Sequence, residues 1–341
     1  MTFRTQIAFA LAGLVPLAFH VSHAGNRAPE RPRIFAPGVI SGPANDDAAT
    51  FTPDGKTVYF FRSNYKDYDI LVSHADGAGW TRPRIAAFSG HWRDLEPAMA
   101  PDGSHLIFAS SRPVDGSDKP MDGHWGGSVH PGHGGNLWRV DRTASGWSKP
   151  VRLPDTVNRW DSTFSPTVAG DGTLYFMTAT GRNGDFQLYR SSYRNGAYQP
   201  ARSLPFSTGQ WGDSDPAIAP DQSFIVFSSN RPPTPAHGSD VFIVFRDSDG
   251  RWGEPIDLGP VVNEPSGINE LRLGADGHTL YFSSNRVVSP TYPKTLAESR
   301  RGLQRMQTWN NGRDNIWKID LTPWLVCHGH PGCRASRQGS R

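Results

Sequence analysis

The stretch Thr52-Pro53-Asp54-Gly55, followed by Thr57-Val58-Tyr59-Phe60, decides the fold because versions of it recur along the chain. Asp accepts hydrogen bonds from the backbone just ahead of it, and Gly adopts the positive φ that tight turns need. The turn Asp and the Phe that ends the following run recur together, at Asp54 and Phe60, Asp102 and Phe108, Asp171 and Phe176, Asp221 and Phe227, and Asp276 and Phe282. Copies of a turn and strand at intervals of roughly fifty residues indicate a repeat architecture.

Each repeat continues in the same order after this strand. An Arg follows it, at Arg62, Arg112, Arg182, Arg231 and Arg286. We expect this Arg to pair with an acid at the start of the third strand, such as Asp69 or Asp240. An aromatic residue with Pro shortly after it comes next, at Trp80, Trp147, Tyr198 and Trp252, and recurrence in phase predicts packing between blades. With the strand before the turn, each unit supplies four antiparallel strands, which is one propeller blade.

The fifth repeat lacks its outer strand, and the start of the chain supplies a matching piece. Arg31-Pro32-Arg33-Ile34 is similar to Arg82-Pro83-Arg84-Ile85, which belongs to an outer strand. We therefore predict an all-β, five-bladed β-propeller over 25–323, closed by an N-terminal strand in the last blade, with six blades as the alternative. The predicted blades are 45–90, 91–158, 159–209, 210–263, and 264–320 plus 31–41.

These repeats resemble the TolB-like, WD-repeat-like propeller family. The resemblance rests on Pro-Asp-Gly, on Phe-Ser-Ser-Asn-Arg at 227–231 and 282–286, and on the Gly-Trp-x-x-Pro strand. It implies a propeller and says almost nothing about activity. TolB itself has six blades behind a small α/β domain, so its partnership with the Pal lipoprotein is not carried over. Related repeats precede a hydrolase domain in prolyl-oligopeptidase-like enzymes, but the sequence contains no Gly-x-Ser-x-Gly.

The two ends of the sequence carry signals unrelated to the repeats. Residues 1–24 have the pattern of a signal peptide, with Arg4, a short apolar run and small residues before cleavage at Ala24. We expect a periplasmic or secreted protein with no membrane span after cleavage. The C-terminal tail, 324–341, holds Cys327 and Cys333, and a disulfide between them is expected in an oxidising compartment. A metal site with His328 and His330 is the alternative.

The overall charge argues against one class of partner. The formal net charge is +3, too small to indicate nucleic acid binding. A peptide, a protein or a glycan is the expected partner, and the sequence leaves the oligomeric state open.

A Trp beside an Asp opens three adjacent repeats. The pairs are Trp92 with Asp94, Trp160 with Asp161, and Trp211 with Asp213. They lie on connections between blades, which crowd around one mouth of the central channel. Flat Trp faces beside carboxylates suit sugar rings or cationic peptides, and we treat all six residues as candidate ligand contacts. The alternative is that each Trp packs on its neighbour and each Asp caps its loop.

Three carboxylates align just inside this rim, at Glu96, Asp215 and Glu270, where the other two repeats hold Ala48 and Ser165. We expect them on innermost strands, facing the channel, as polar ligand contacts. They would suit Ca²⁺ through oxygen ligands, or the acid–base pair of a glycoside hydrolase. A water-filled, solvated channel is the alternative.

The longest insertions, 113–135 and 287–313, follow the second strand of two blades and emerge on the face that carries the Trp connections. The first contains His124, His130 and His133, which are weak candidates for Zn²⁺ or Cu²⁺ because their spacing fits no strong motif. A lid over a ligand or a plain loop are the alternatives.

Together these features favour a binding module that holds a peptide, protein or glycan at the loop-rich channel mouth. The alternative is a carbohydrate-active enzyme that uses Glu96, Asp215 and Glu270; otherwise no catalytic residue is assigned.

Overall fold

A computed structural model describes residues 29–234, 238–264 and 267–329. The predicted signal peptide and Cys333 lie outside the described residues, as does the side chain of Cys327. The predicted cleavage and disulfide therefore stay predictions.

Five antiparallel sheets stand as the blades of a propeller, so the predicted fold class is confirmed. Blade 1 has the strands Asn45–Phe51, Thr57–Ser63, Tyr68–Asp76 and Arg84–Ile85. Blade 2 has Asp94–Met99, His105–Ser110, Asn136–Thr143 and Val151–Arg152. Blade 3 has Thr163–Val168, Leu174–Ala179, Phe186–Ser191 and Arg202–Ser203, and blade 4 has Asp213–Ile218, Phe224–Ser229, Asp240–Phe245 and Ile256–Asp257. Each strand pairs with the next one along the chain within its blade, running from the channel outward.

Blade 5 takes strands from both ends of the described chain. Its first three strands are Asn269–Leu273, Thr279–Ser284 and Asn315–Asp320, and its fourth is Arg33–Ile34. Ile34 lies opposite Trp317, and the Phe35 backbone N–H donates to the Ile316 carbonyl at 2.8 Å. The Phe35 ring contacts Phe51 of blade 1 and Tyr281 of blade 5, so it fills the space between these blades. The inner strands also contact one another around the ring, blade 5 to blade 1 included.

The repeated turn and the repeated Phe explain why the blades form. All five turn carboxylates accept the backbone N–H two residues ahead, as Asp54 does from Lys56 at 3.0 Å. The strand that follows continues two or three residues past a Phe whose side chain is fully buried in every blade, at Phe60, Phe108, Phe176, Phe227 and Phe282. The turn fixes the hairpin, and burial of the aromatic ring supplies the packing energy.

Every inner strand carries a β-bulge at the same place. The bulged residue has a positive φ of 48–55° at Ala48, Glu96, Ser165, Asp215 and Glu270. A non-glycine residue in this region costs about 1 kcal/mol, and a bulge re-aims its side chain. The positions that align in the sequence are therefore the bulge positions that turn toward the channel.

The remaining elements are short. The first insertion forms a hairpin of Gly123–Trp125 and Ser128–His130, and the second contains the helix Leu296–Met306. Shorter elements are the helices Pro260–Asn263 and Thr322–Gly329, the 3-10 turn Arg182–Gly184, and the outer pieces Gly79–Trp80, Gly146–Trp147, Tyr193–Arg194 and Ala197–Tyr198. Trp324 and Leu325 of the last helix pack against the core of blades 4 and 5. Within the described ranges, every helix is too short or too polar to cross a bilayer.

Candidate functional site

The connections between blades and the two insertions meet on one face of the propeller, which we call the mouth. The blade 2 insertion contacts the start of blade 3, where the His124 ring Nδ1 lies 2.8 Å from Asp161 Oδ2. The blade 5 insertion reaches blade 1, where the Tyr65 hydroxyl donates to Asp314 Oδ2 at 3.0 Å. Hydrogen bonds at the mouth therefore join blade 2 to blade 3 and blade 5 to blade 1.

Asp94 and Asp213 lie inside the blades, not on the mouth surface. Asp94 is fully buried and accepts from Ser89 Oγ at 2.9 Å, Ser110 Oγ at 2.7 Å and Arg112 Nη2 at 3.1 Å. Asp213 is also fully buried, and it repeats this arrangement with Ser207, Ser229 and Arg231. Both carboxylates hold a blade together, and we correct the expectation that these two positions contact a ligand.

The same geometry corrects the partner predicted for the recurring Arg. Arg62, Arg112 and Arg231 pair with the acid at the start of the innermost strand, namely Asp46, Asp94 and Asp213. The expected partners at the start of the third strand, Asp69 and Asp240, are wrong. Antiparallel pairing places Ser110 opposite Asp94 and Ser229 opposite Asp213, so the Arg that follows each Ser reaches inward.

The three insertion His residues have separate surroundings. His124 faces Asp161, the His130 ring stacks on Trp125 with centroids 3.7 Å apart, and His133 meets the Tyr68 ring edge-on. Among the residues that the structure describes, no group of three or more His, Cys, Asp or Glu is placed to hold a metal ion. This applies to the three His and also to the channel carboxylates considered for Ca²⁺.

The three Trp of the predicted platform are placed differently. Trp160 packs on Tyr189, with centroids 5.0 Å apart, and lies under the Arg159 guanidinium. Trp211 is half-buried in the connection to blade 4. Trp92 lines a cleft of about 510 Å³ between blades 1 and 2, and this cleft does not include the other two Trp.

This blade 1–2 cleft combines aromatic and charged walls. Tyr68 and Asp69 come from blade 1, Trp92 and Arg93 from the connection, Ser111 from blade 2, and His133 from the insertion. The Arg93 guanidinium lies 4.1 Å from the centre of the Tyr68 ring, and its Nη1 donates to the His133 carbonyl at 3.3 Å. Two buried polar atoms of the wall, Arg93 Nε and Ser111 Oγ, have no hydrogen-bond partner within the described residues.

Charges of both signs line the cleft. Lys66 and Arg93 are opposed by Asp67 and Asp69. Burial lowers the pKa of His133, and the nearby Arg93 and Lys66 lower it further. Burial raises the pKa of Asp69, and the neighbouring Asp67 adds to this rise. The cleft therefore offers both hydrogen-bond donors and hydrogen-bond acceptors, and its positive and negative charges are balanced in number.

The channel carboxylates lie below the mouth, where Glu96 and Asp215 are buried and Glu270 is partly exposed. Glu96 is 3% exposed and Asp215 is 4% exposed, and the Oε2 atom of Glu270 is buried. Glu96 Oε2 accepts the Ser165 backbone N–H at 2.6 Å. Arg272, which is 2% exposed, crosses the channel and donates from Nε to the Pro97 carbonyl at 3.1 Å and from Nη1 to Ser165 Oγ at 3.2 Å. Arg272 of blade 5 therefore joins blades 2 and 3 across the channel.

Burial dominates the acid–base properties of this group. It raises the pKa of Glu96 to about 7, against the lowering effect of the Ser165 N–H. Burial also raises the pKa of Asp215, and it raises the pKa of Glu270 well above its usual range, with Glu96 and Asp215 adding to the Glu270 effect. Asp47 belongs to the same set, because burial likewise raises its pKa strongly. Sequence reasoning missed Asp47 and Arg272, although each lies within two residues of a bulge position.

The fold defines this chain as a β-propeller, and comparisons with known proteins agree at that level. No protein-family model matches the chain, and no curated protein matches it. Similar solved structures are TolB-like and other propellers. TolB from Acinetobacter baumannii has 15% identity and a TM-score of 0.45, over 81% of this chain and 55% of that one. The calcium-binding protein regucalcin from Agrobacterium tumefaciens has 14% identity and a TM-score of 0.44, over 86% and 94%. The chain thus spans about 55% of the length of that TolB, and these likenesses concern the fold alone.

Proposed function

We propose that this chain is an exported binding module that holds a saccharide in the blade 1–2 cleft. The observation that carries the proposal is the cleft between blades 1 and 2, in which the rings of Trp92 and Tyr68 lie beside charged groups of both signs. The cleft volume of about 510 Å³ suits a small ligand. Export is inferred from the pattern of residues 1–24.

The balance of side chains favours a saccharide over a strongly charged ligand. Trp92 and Tyr68 supply aromatic faces for the C–H faces of a sugar ring. Arg93 and Lys66 donate hydrogen bonds, whereas Asp67 and Asp69 accept them from hydroxyls. Lys66 and Arg93 would repel a cationic peptide, and Asp67 and Asp69 would repel an anionic one.

We favour binding over glycoside hydrolysis because two of the three candidate acids, Glu96 and Asp215, are enclosed. Hydrolysis needs two carboxyl groups on either side of a scissile bond. Glu96 and Asp215 are almost fully buried, and Glu96 is bonded to the backbone of the neighbouring blade.

Replacing Trp92 by Ala is expected to weaken saccharide binding about thirtyfold, or about 2 kcal/mol, because a central aromatic contact is lost. A glycan array selects the saccharide, and titration calorimetry measures its Kd. The matched control is Trp211→Ala, which removes a Trp of the same motif two blades away and should leave Kd within about twofold. Melting temperatures verify that both variants fold.

Two results would contradict this proposal. Unchanged affinity in Trp92→Ala would show that the cleft is not the binding site. Capture of peptides but no saccharide on matched arrays would overturn the ligand class.

A further inference from the structure

A small cleft at the outer edge of blade 3, which we call the arginine cleft, is lined by three Arg side chains. It has a volume of about 240 Å³ and lies where the third strand of the blade, Phe186–Ser191, continues into an outer hairpin. The lining residues are Arg190, Arg194 and Arg202 with Ser192, Gln199 and Pro200. Among these six described residues there is neither Asp nor Glu, so three positive charges line the cleft without a negative one.

Strand pairing places two of these Arg side by side. Arg190 lies directly opposite Arg202 in an antiparallel pair, so both side chains leave the same face of the sheet. Ser192 and Arg194 follow Arg190 at steps of two, and side chains at such steps share a face of an extended chain. Burial raises the pKa of the neighbouring Tyr175, so its hydroxyl is neutral and does not offset the Arg190 charge. Like charges directly opposite each other destabilise a sheet, so the pair opposes folding unless an anion offsets it.

The same register position in the other blades holds at most one cation, or two cations with an acid. The pairs with at most one cation are Val72 with Arg84 in blade 1, Arg139 with Val151 in blade 2, and Ile243 with Ile256 in blade 4. Blade 5 has Arg33 opposite Lys318, but Arg33 pairs with Glu30 at 2.7 Å. Within the described residues, none of the three Arg of the arginine cleft forms an ion pair. Blade 3 therefore lacks the acid that blade 5 supplies.

The outer hairpin holds the backbone of Arg194 in place. Asn195 and Gly196 have positive φ values of 52° and 78°, as in the type I′ turn that Asn-Gly favours in two-residue hairpin loops. On either side of this turn, the Tyr193 ring packs edge-on against the buried Tyr198, with centroids 5.0 Å apart. A ligand therefore has to order Arg side chains but not the hairpin that carries them, which lowers the entropic cost of binding.

We propose that the arginine cleft binds a phosphate or sulfate group. A guanidinium presents a planar fork of N–H donors that matches the oxygens of such a group. Three guanidinium groups with no lining carboxylate suit a doubly charged oxyanion. The volume of about 240 Å³ is below the range of about 300–1,000 Å³ usual for drug-sized ligands, so it suits one oxyanion and a small part of any molecule that carries it.

The arginine cleft lies on the face of the propeller opposite the mouth. The loop after the second strand of a blade is at the mouth, so the third strand, Phe186–Ser191, runs away from it. The outer hairpin begins where this strand ends. This inference does not depend on the saccharide proposed for the blade 1–2 cleft, and either proposal can fail without the other.

Thermal unfolding at rising concentrations of inorganic phosphate tests the proposal, with sodium chloride adjusted to hold the ionic strength constant. A ligand that binds only the folded state raises Tm by an amount that yields an apparent Kd. Phosphate also stabilises proteins generally, because it is excluded from their surface, so the informative quantity is the difference between variants. Arg194→Gln with Arg202→Gln should weaken the apparent Kd by roughly tenfold or more, because charge-assisted hydrogen bonds are lost.

The matched control is Arg82→Gln with Arg84→Gln. It removes the same charge from exposed positions, and Arg84 lies on the corresponding outer strand of blade 1. The apparent Kd should stay within about twofold of the parent value, because solvent screens distant exposed charges. Labelling with phenylglyoxal, which modifies arginine, gives a second readout. Phosphate should slow the modification of Arg190, Arg194 and Arg202 but not that of Arg82 or Arg84.

Glucose phosphate and glucose sulfate esters distinguish the source of the oxyanion. Tighter binding of an ester than of the inorganic ion supports a group carried on a sugar, and equal binding supports the free ion. Equal Tm gains in the parent protein and in both double variants would overturn the proposal. Protection of the cleft arginines by citrate but not by phosphate or sulfate would overturn the ligand class.

Discussion

Asp94→Ala is expected to lower the free energy of unfolding by about 3–5 kcal/mol, because it leaves the buried Arg112 without its counter-charge. The Asp94 side chain is fully buried and that of Arg112 is 10% exposed. Arg112 Nη2 would keep only its bond to the Phe88 carbonyl, at 2.8 Å. Removal of Asp94 also leaves the hydroxyl groups of Ser89 and Ser110 without the carboxylate to which they donate. Chemical denaturation at neutral pH measures the loss.

The matched control lies in the same blade. Arg139 and Asp141 form an ion pair at 2.6 Å, but their side chains are 26% and 49% exposed. Solvent screens such a pair, so Asp141→Ala should cost at most about 1 kcal/mol. Equal effects of the two substitutions would show that the recurring Arg–Asp pair does not hold the blade together.

Glu96→Gln is expected to stabilise the protein increasingly as pH rises, by about 2–3 kcal/mol more at pH 8 than at pH 5. The folded pKa of Glu96 is about 7, raised by burial from 4.5. A raised pKa means that the stability from this group is fully present below its ordinary pKa and is lost as pH rises through about 7. Gln mimics the neutral acid at every pH and still accepts the Ser165 N–H, so it avoids this loss.

The parent protein and the variant are compared at each pH. Titratable groups that both proteins share contribute equally to the two unfolding free energies, so their contributions cancel in the difference. One of these is His105, whose pKa burial lowers to about 4. Asp54→Asn is the control, because hydrogen bonds from Thr52 and Lys56 lower the Asp54 pKa and leave it ionised at both pH values. Its effect should be the same at pH 5 and pH 8. A pH-independent effect of Glu96→Gln would mean that Glu96 is solvated, and the enclosed channel would be wrong.

The blades could be predicted from the sequence because their signals are local. The hydrogen bond from the Lys56 N–H to Asp54 joins residues two apart, and a buried Phe lies within each second strand. The start of the helix Leu296–Met306 could also be predicted from the sequence, since Thr295 and Glu298 have the spacing of a capping box. We treated this region only as an insertion.

The site was harder to predict because its contacts join distant parts of the chain. Asp94 and Asp161 share a Trp-plus-Asp motif, yet one is fully buried and the other pairs with His124 of the insertion. Asp94 is the first residue of its inner strand, two residues before the bulge at Glu96, whereas Asp161 precedes its strand and lies four residues before the bulge at Ser165. The position of Arg272 across the channel from blades 2 and 3 likewise depends on closure of the ring.

Hydrogen exchange with and without the array-selected saccharide tests most directly the claim that recognition occurs at the blade 1–2 cleft. The account predicts that added saccharide slows amide exchange in 66–69, 90–93 and 131–133, the segments that line the cleft. The turns at Asp54, Asp102 and Asp171 should be unaffected. Protection confined to those turns, or to the outer strands of blades 3 and 4, would contradict it.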